Sequence, residues 1–355
     1  MTRAVRYLAA RTLDTAPVTS PPPGPGEVEV APAYVGRCGT DLHIFHGDMD
    51  ARVHAPAVLG HEMSGRVVRV GPDTEGWRPG DAVTVMPLRW DGTCEACRAG
   101  HRHICQHLDF IGIDSPGAMQ QRWTVPAATL VRLPDALPLD RAALVEPTAV
   151  AVHDVGRAEV RDGERVVVVG GGPVGVLIAL VARAAGADVR VVELSAHRRL
   201  LAEKLGLATW EPAAQNVPEL VREWTGDAGA DVAFEVSGAA AGMDTAVEVL
   251  GVRGRLCLVA IHPQHREVNL HRFFWRELTL VGARLYDRSD FERAVTLVAD
   301  GTIPAGQLIS KVVPLAEAPS AFEALESGGD VMKILLDCTA ESADSAESEA
   351  EEAAV

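Results

Sequence analysis

The rhythm of apolar and polar positions changes twice along the chain. Up to about residue 145 the apolar residues come in short alternating runs, such as "GEVEVAPAYVG" (26–36) and "GRVVRVG" (65–71). Turn-forming clusters, "PPPGPG", "VGPD" and "RPGD", separate them. Alternation puts every second side chain on one face, so this part predicts a mostly antiparallel β domain. From about 147 to 282, continuous apolar strands alternate with helical patterns. "ERVVVVG" (164–170) leads into "GPVGVLIALVARAAGA", "DVRVVEL" leads into "AHRRLLAEKLG", and "ADVAFEVS" and "GRLCLVAI" follow. Repeated βα units with uninterrupted apolar strands predict a parallel, doubly wound sheet. Shorter pieces then return: a helix at "DFERAVTLVADG" and strands at "ISKVVPL" and "VMKILLDC". The pattern therefore reads as an α/β protein of two domains, with 147–282 inserted between 1–146 and 283–340.

Composition adds limits to that picture. A chain of 355 residues is long enough for two domains with sizeable cores. The net charge of −16 argues against nucleic acid as a partner, because phosphate binding needs concentrated basic charge. Six acids and no base fall in the last stretch, 341–355, which has no apolar periodicity and is expected to be a disordered acidic tail. No apolar run reaches membrane-spanning length, and the first residues lack a signal peptide's apolar stretch, so no membrane partner and a cytoplasmic protein are expected. In a reducing compartment, six cysteines point to metal ligation or free thiols before disulfides.

Three stretches carry candidate chemistry. Gly170-Gly171-Gly172-Pro173-Val174-Gly175 fits G-x-G-x-x-G between a buried strand and a helix, where glycines let the backbone approach a pyrophosphate seated on the helix N-terminus. Glu193 ends the next strand, placed to bond the ribose hydroxyls of NAD and repel a 2′-phosphate. Arg198 and Arg199 follow and soften that preference, so NAD is favoured over NADP. In "GRCGTDLHIFHGD" (36–48) and "LGHEMSG" (59–65), Cys38, His61 and Glu62 offer the three donor types zinc accepts. In "DGTCEACRAGHRHIC" (91–105), Cys94, Cys97 and Cys105 are spaced as ligands one short of four.

Together with "VEPTAVAVH" (145–153), these motifs resemble, in order, the zinc-dependent medium-chain dehydrogenases, from about residue 3 to 338. "GHE" and the "EP" segment resemble the polyol branch, which includes sorbitol, 2,3-butanediol and threonine dehydrogenases. "RELTLVGARLYDRSDFERAV" is most similar to the butanediol group. The resemblance implies a GroES-like catalytic domain and a Rossmann coenzyme domain, with the active site between them, in a homodimer or homotetramer. It puts a catalytic zinc on Cys38 and His61, with Glu62 and Glu146 as acidic ligands or near-ligands, either of which can bind directly. It implies oxidation of a secondary alcohol, with the metal acidifying the hydroxyl and NAD taking the hydride. Thr40 and His43 would carry the proton to solvent.

The resemblance also supplies the register of the cysteine lobe, C-x2-C-x2-C-x7-C. "CRAGHRHIC" fits the last two positions, Cys94 the second, and Asp91 falls on the first. A carboxylate is an acceptable donor, so Asp91 ranks first as the fourth ligand; an empty lobe ranks second and His101, His103 or His107 third.

The expected substrate is a polyol, vicinal diol or sugar alcohol, with threonine or another amino alcohol, including an aminocyclitol, as the alternative. A nucleotide-binding redox module without turnover is the reading from a different class, and it would not need Cys38, Thr40, His43, His61 and Glu146 together. Phe45, Trp90, Phe110, Trp123, Trp275 and Tyr286 are candidate pocket aromatics, more often packing than recognition.

Overall fold

The structure, a computed structural model, describes residues 2–262, 264–326 and 331–340. The expected acidic tail, 341–355, lies outside the described residues. The chain divides into two compact units, one formed by the residues up to Glu146 and from Ala305 onward, the other by Pro147–Pro304.

The first unit is built on a seven-stranded sheet. Its order is Leu130–Arg132, Ala82–Val85, Glu62–Val70, Glu27–Gly36, Lys333–Asp337 and Ile309–Pro314, and Trp123–Pro126 also pairs with Glu27–Gly36. All pairings are antiparallel except the last two strands, Ile309–Pro314 and Lys333–Asp337, which run parallel. The alternation in "GEVEVAPAYVG" is less strict than its pattern suggests. Val28, Glu29 and Val30 are all buried, because the strand is covered on both faces and Glu29 meets Arg69 at 2.7 Å.

The second unit is a six-stranded sheet with the order Ala208–Trp210, Asp188–Val192, Arg165–Val169, Ala230–Glu235, Leu250–Leu258 and Thr279–Gly282, every pair parallel. This is the doubly wound order, with helices such as Pro173–Ala184 and Ala240–Glu248 as crossovers. The core joins Val167, Val169 and Val192 from the strands to Val221, Met243 and Val247 from the helices. Each such side chain contributes about 1.5–3 kcal/mol on burial.

One boundary differs from the sequence reading. The return to the first unit comes at Ala305, not at residue 283. The helix Arg288–Ala299 buries Phe291, Ala294, Val295, Leu297 and Val298, and its Asp290 sits 2.8 Å from His153, inside the second unit. A strand-to-short-element transition in the sequence marks a change of element type, whereas a unit boundary depends on which core receives the apolar face.

The same unit holds an ionisable group in an apolar setting. Asp154, in the helix Val145–Arg157, is fully buried, and neither carboxylate oxygen has a hydrogen-bond partner among the described residues. Burial, reinforced by the Asp290 charge, pushes its pKa well above the usual carboxylate range. A raised folded-state pKa gives a contribution that is present below the unfolded value, about 4, and lost as pH climbs through the folded value. Asp154→Asn removes that titration. Its stability advantage over the wild type is expected to widen as pH rises from about 4 towards neutrality, measured by urea unfolding across pH; a gap that stays constant refutes this.

Candidate active site

Cys38 caps the helix Gly39–His46, and Asp41 at the third helical position accepts the Cys38 N–H at 2.8 Å. That local cap uses one carboxylate oxygen of Asp41. The other lies 3.7 Å from His61 Nδ1, so a single aspartate both fixes the cysteine turn and faces the imidazole. Glu62 opens the strand Glu62–Val70 opposite Gly36. A Cβ at Gly36 would come within 2.3 Å of Glu62 Oε2, so only glycine leaves room for this carboxylate.

Ligand atoms of Cys38, His61 and Glu62 all lie within 4.8 Å of one another. Glu146, second in the helix Val145–Arg157, is buried close enough for its charge to act on His61 and Lys333, but it does not join that group of three. Among the described residues, Asp41 Oδ1, His61 Nδ1 and Glu62 Oε2 are buried without a hydrogen bond. Thiolate, imidazole and carboxylate converging with an unsatisfied oxygen fit a zinc ion.

Two buried cations balance this cluster. Lys333 (4% exposed) donates to Glu62 Oε1 (1% exposed) at 2.6 Å and to the Arg37 carbonyl at 3.2 Å. Its nitrogen also lies 2.5 Å from Oε2, so both carboxylate oxygens face the ammonium. Burial disfavours the ammonium most strongly, but Glu62, Cys38 and Glu146 together outweigh it, and the Lys333 pKa rises. Burial lowers the Arg37 guanidinium to about 10 against the pull of Asp41, Cys38 and Glu62. Burial opposes a charged His61 too, yet Asp41 and Cys38 hold its pKa well above the ordinary value. Lys333, Asp41 and Arg37 are absent from the sequence reading. A lone lysine inside the apolar run "VMKILL" and the capping spacing Cys38–Asp41 were the available signals.

Thr40 and His43 lie three apart on the same short helix. His43 is exposed with Nδ1 3.1 Å from Asp48 Oδ2. Of the six candidate aromatics, Phe110 meets the cluster, its ring 5.0 Å from that of His61. Phe45, Trp123 and Tyr286 are core residues, whereas Trp90 and Trp275 are exposed.

The cysteine lobe closes on four residues. Asp91, Cys94, Cys97 and Cys105 bring their ligand atoms within 4.8 Å of one another. Backbone N–H groups of Cys97 and Gln106 point to Cys94 Sγ, and those of Asp91 and His107 to Cys105 Sγ, at 3.3–3.5 Å. These donors favour thiolates, the form that zinc requires, and hydrogen bonding lowers the Cys94 pKa. Asp91 Oδ1 accepts from the Thr93 and Cys94 N–H groups at 2.8 and 3.0 Å, and Oδ2 lies 2.5 Å from His107 Nδ1. The Cys94 N–H bond leads the causes that hold this carboxyl far below the usual range.

In the second unit, Gly170 has φ +108°, and a Cβ at Gly175 would fall 1.8 Å from the Gly170 carbonyl oxygen. The turn and the helix approach therefore both exclude side chains. Gly172 caps the helix Pro173–Ala184, whose first two residues are Pro173 and Val174, and a Cβ there would meet only Arg198, at 3.9 Å. Glu193 is held by the Gly171 and Ser195 N–H groups at 2.8 and 2.7 Å, with Arg198 Nη1 3.9 Å away. Arg199 is engaged elsewhere, on the carbonyls of Glu193 and Leu194 and on Glu211. An open glycine cradle beside an anchored carboxylate fits a dinucleotide.

Residues 24–135 match the family described as the alcohol dehydrogenase GroES-like domain, and residues 173–300 match the zinc-binding dehydrogenase family. The 2-dehydro-3-deoxy-L-galactonate 5-dehydrogenase of Pseudoalteromonas atlantica is 45% identical over 338 residues, covering 95% of this chain and 99% of its own. The chain belongs to the zinc-binding dehydrogenase family. Sorbitol dehydrogenase of Halalkalibacterium halodurans is 31% identical over 321 residues, 89% of this chain and 93% of its own. The solved 2R,3R-butanediol dehydrogenase of Bacillus subtilis matches with a TM-score of 0.88 at 30% identity, covering 95% of this chain and 99% of that one. This dehydrogenase is thus an oxidoreductase of the polyol type, acting on small-molecule alcohols. No helix among its described residues is long and apolar enough to cross a membrane.

The Glu62–Lys333 pair makes a direct prediction for this dehydrogenase. Lys333→Met leaves a buried carboxylate uncompensated, so in chelator-stripped protein it should cost about 3–5 kcal/mol. With zinc restored the loss should shrink, because the metal replaces the missing cation. Denaturant unfolding of both proteins with and without chelator measures this; an equal loss in both conditions contradicts it.

Proposed function

We propose that this dehydrogenase oxidises a secondary hydroxyl of a sugar acid to the ketone, with NAD as hydride acceptor. The observation that carries the reading is 45% identity, across 95% of the chain, to an enzyme named for a deoxy sugar acid. Cys38, His61 and Glu62 would hold the catalytic zinc, with Glu146 as the neighbouring carboxylate able to exchange with Glu62. The zinc supplies a Lewis acid that lowers the pKa of an alcohol. Asp41 faces His61, and Lys333 pairs with Glu62. Thr40 and His43 take the released proton outward along one face of their helix. Asp91, Cys94, Cys97 and Cys105 would hold a second, structural zinc, supported by the convergence of their ligand atoms.

The choice of NAD rests on Glu193, which is anchored by two backbone N–H groups and so presents a fixed negative charge where NADP carries its 2′-phosphate. Self-association as a homo-oligomer is supported by exposed Leu270, Phe274 and Trp275 beside the sheet's edge strand Thr279–Gly282. Six unpaired cysteines suit a reducing cytoplasm.

A substrate panel read by absorbance of the reduced cofactor tests the central claim. Sugar acids are expected to exceed sorbitol and 2,3-butanediol in kcat/KM; a zinc-loaded enzyme active on the neutral polyols and inert to every sugar acid refutes it. Glu193→Ala is expected to lower the NAD/NADP ratio of kcat/KM by about tenfold or more, as loss of one charge-specific contact implies. For the metals, elemental analysis should give two zincs per chain, with Cys38→Ser and Asp91→Ala each removing a different one. Asp91→Ala protein that keeps both zincs would count against the carboxylate ligand.

A further inference from the structure

A buried carboxylate at the carboxyl edge of the second sheet takes no part in the chemistry so far described. Glu235 ends the strand Ala230–Glu235 and is fully buried. Its Oε1 accepts from the Ser237 N–H at 2.9 Å, the Ser237 hydroxyl at 2.5 Å and the Gly238 N–H at 3.1 Å. Its Oε2 lies 2.8 Å from His262 Nε2. Arg266 completes the set, donating from Nε to His262 Nδ1 at 3.1 Å and from Nη2 to the Gly238 carbonyl at 3.3 Å. A guanidinium can only donate, so Nδ1 must accept and the ring proton sits on Nε2, donated to Glu235. The N–H groups of Val259 and Ala260 bind the Glu235 carbonyl as well. Two loops, one after each of two neighbouring parallel strands, are thereby fastened together.

The position of this fastening gives it a use. Strand order reverses beside Arg165–Val169, whose glycine turn receives the pyrophosphate, and Glu193 lies on the side of Asp188–Val192. The ribose that Glu193 reads is therefore on that side, and the other half of the dinucleotide must extend over the opposite neighbours, Ala230–Glu235 and Leu250–Leu258. The Glu235 loop abuts the glycine turn, since a Cβ at Gly170 would come within 2.9 Å of Ser237 N. The second loop carries Ile261, 73% exposed although apolar and adjacent to the clasped His262.

We propose that Glu235, His262 and Arg266 form a clasp that positions the nicotinamide half of the cofactor, with His262 as the positioning residue and the loop 259–262 as the surface the ring rests on. The proposal rests on the reading of a nicotinamide dinucleotide as cofactor. The clasp holds the loop at a fixed height, so the bound ring finds its support already ordered.

Binding to the full-length protein tests this without any substrate. NADH is titrated by fluorescence, and ADP-ribose, which lacks the nicotinamide, by calorimetry. His262→Phe is expected to weaken NADH by about tenfold, the loss of roughly one positioning contact, and ADP-ribose by less than about twofold. His262→Gln, which keeps an N–H donor for Glu235, should recover most of the NADH affinity. Arg266→Met, which removes the donor to His262 Nδ1, should show the same selectivity to a smaller degree and serves if His262→Phe does not fold. Equal weakening of both ligands, or unchanged NADH binding, overturns the clasp while leaving the dinucleotide reading intact. A wild-type protein that binds neither ligand overturns both.

Discussion

Glu62 and Lys333 stand 271 residues apart and meet as a buried ion pair. Two charges removed from water are tolerated only when each neutralises the other with good geometry. The glutamate begins the strand next to Cys38, and the lysine begins the strand that follows the whole second unit. The pair therefore ties the chain's return to the cluster that needs it. Gly36 makes the space, the Arg37 carbonyl takes a second lysine proton, and Asp41 caps Cys38 while facing His61. The acidic groups of the cluster are thus matched by buried cations.

The cysteine lobe meets the same requirement by different means. Its negative charge is supported by backbone N–H groups aimed at sulfur and at the Asp91 carboxylate. Such donors come from tight local turns, so the lobe can be assembled from seventeen consecutive residues, 91–107. The Cys38–His61–Glu62 cluster, by contrast, draws on segments spread through the first unit.

In the second unit the governing constraint is steric. The glycines at 170 and 175 allow backbone to approach backbone, and the resulting turn leaves an open cradle above the strand ends. Around it, carboxylates act as fasteners: Glu193 fixes the turn on one side, and Glu235 joins two loops on the other. Asp154 is the contrary case, a carboxyl buried with no hydrogen-bond partner among the described residues, and that burial pushes its pKa up.

The sequence by itself determined the features written in local spacing. The βα alternation specified the doubly wound sheet, the glycine pattern specified a tight strand-to-helix turn beside Glu193, and the family resemblance supplied the register that pointed to Asp91. Cys38, His61 and Glu62 were legible because each sits in its own glycine-bracketed loop, and Asp41 lay within reach as the partner in a helix cap. Tertiary structure alone decided which lysine answers Glu62, which unit receives the helix Arg288–Ala299, and that Glu235 reaches His262. The reason is physical. Periodicity records how a residue relates to its own helix or strand, whereas charge pairing and burial depend on segments that meet only after the chain has folded.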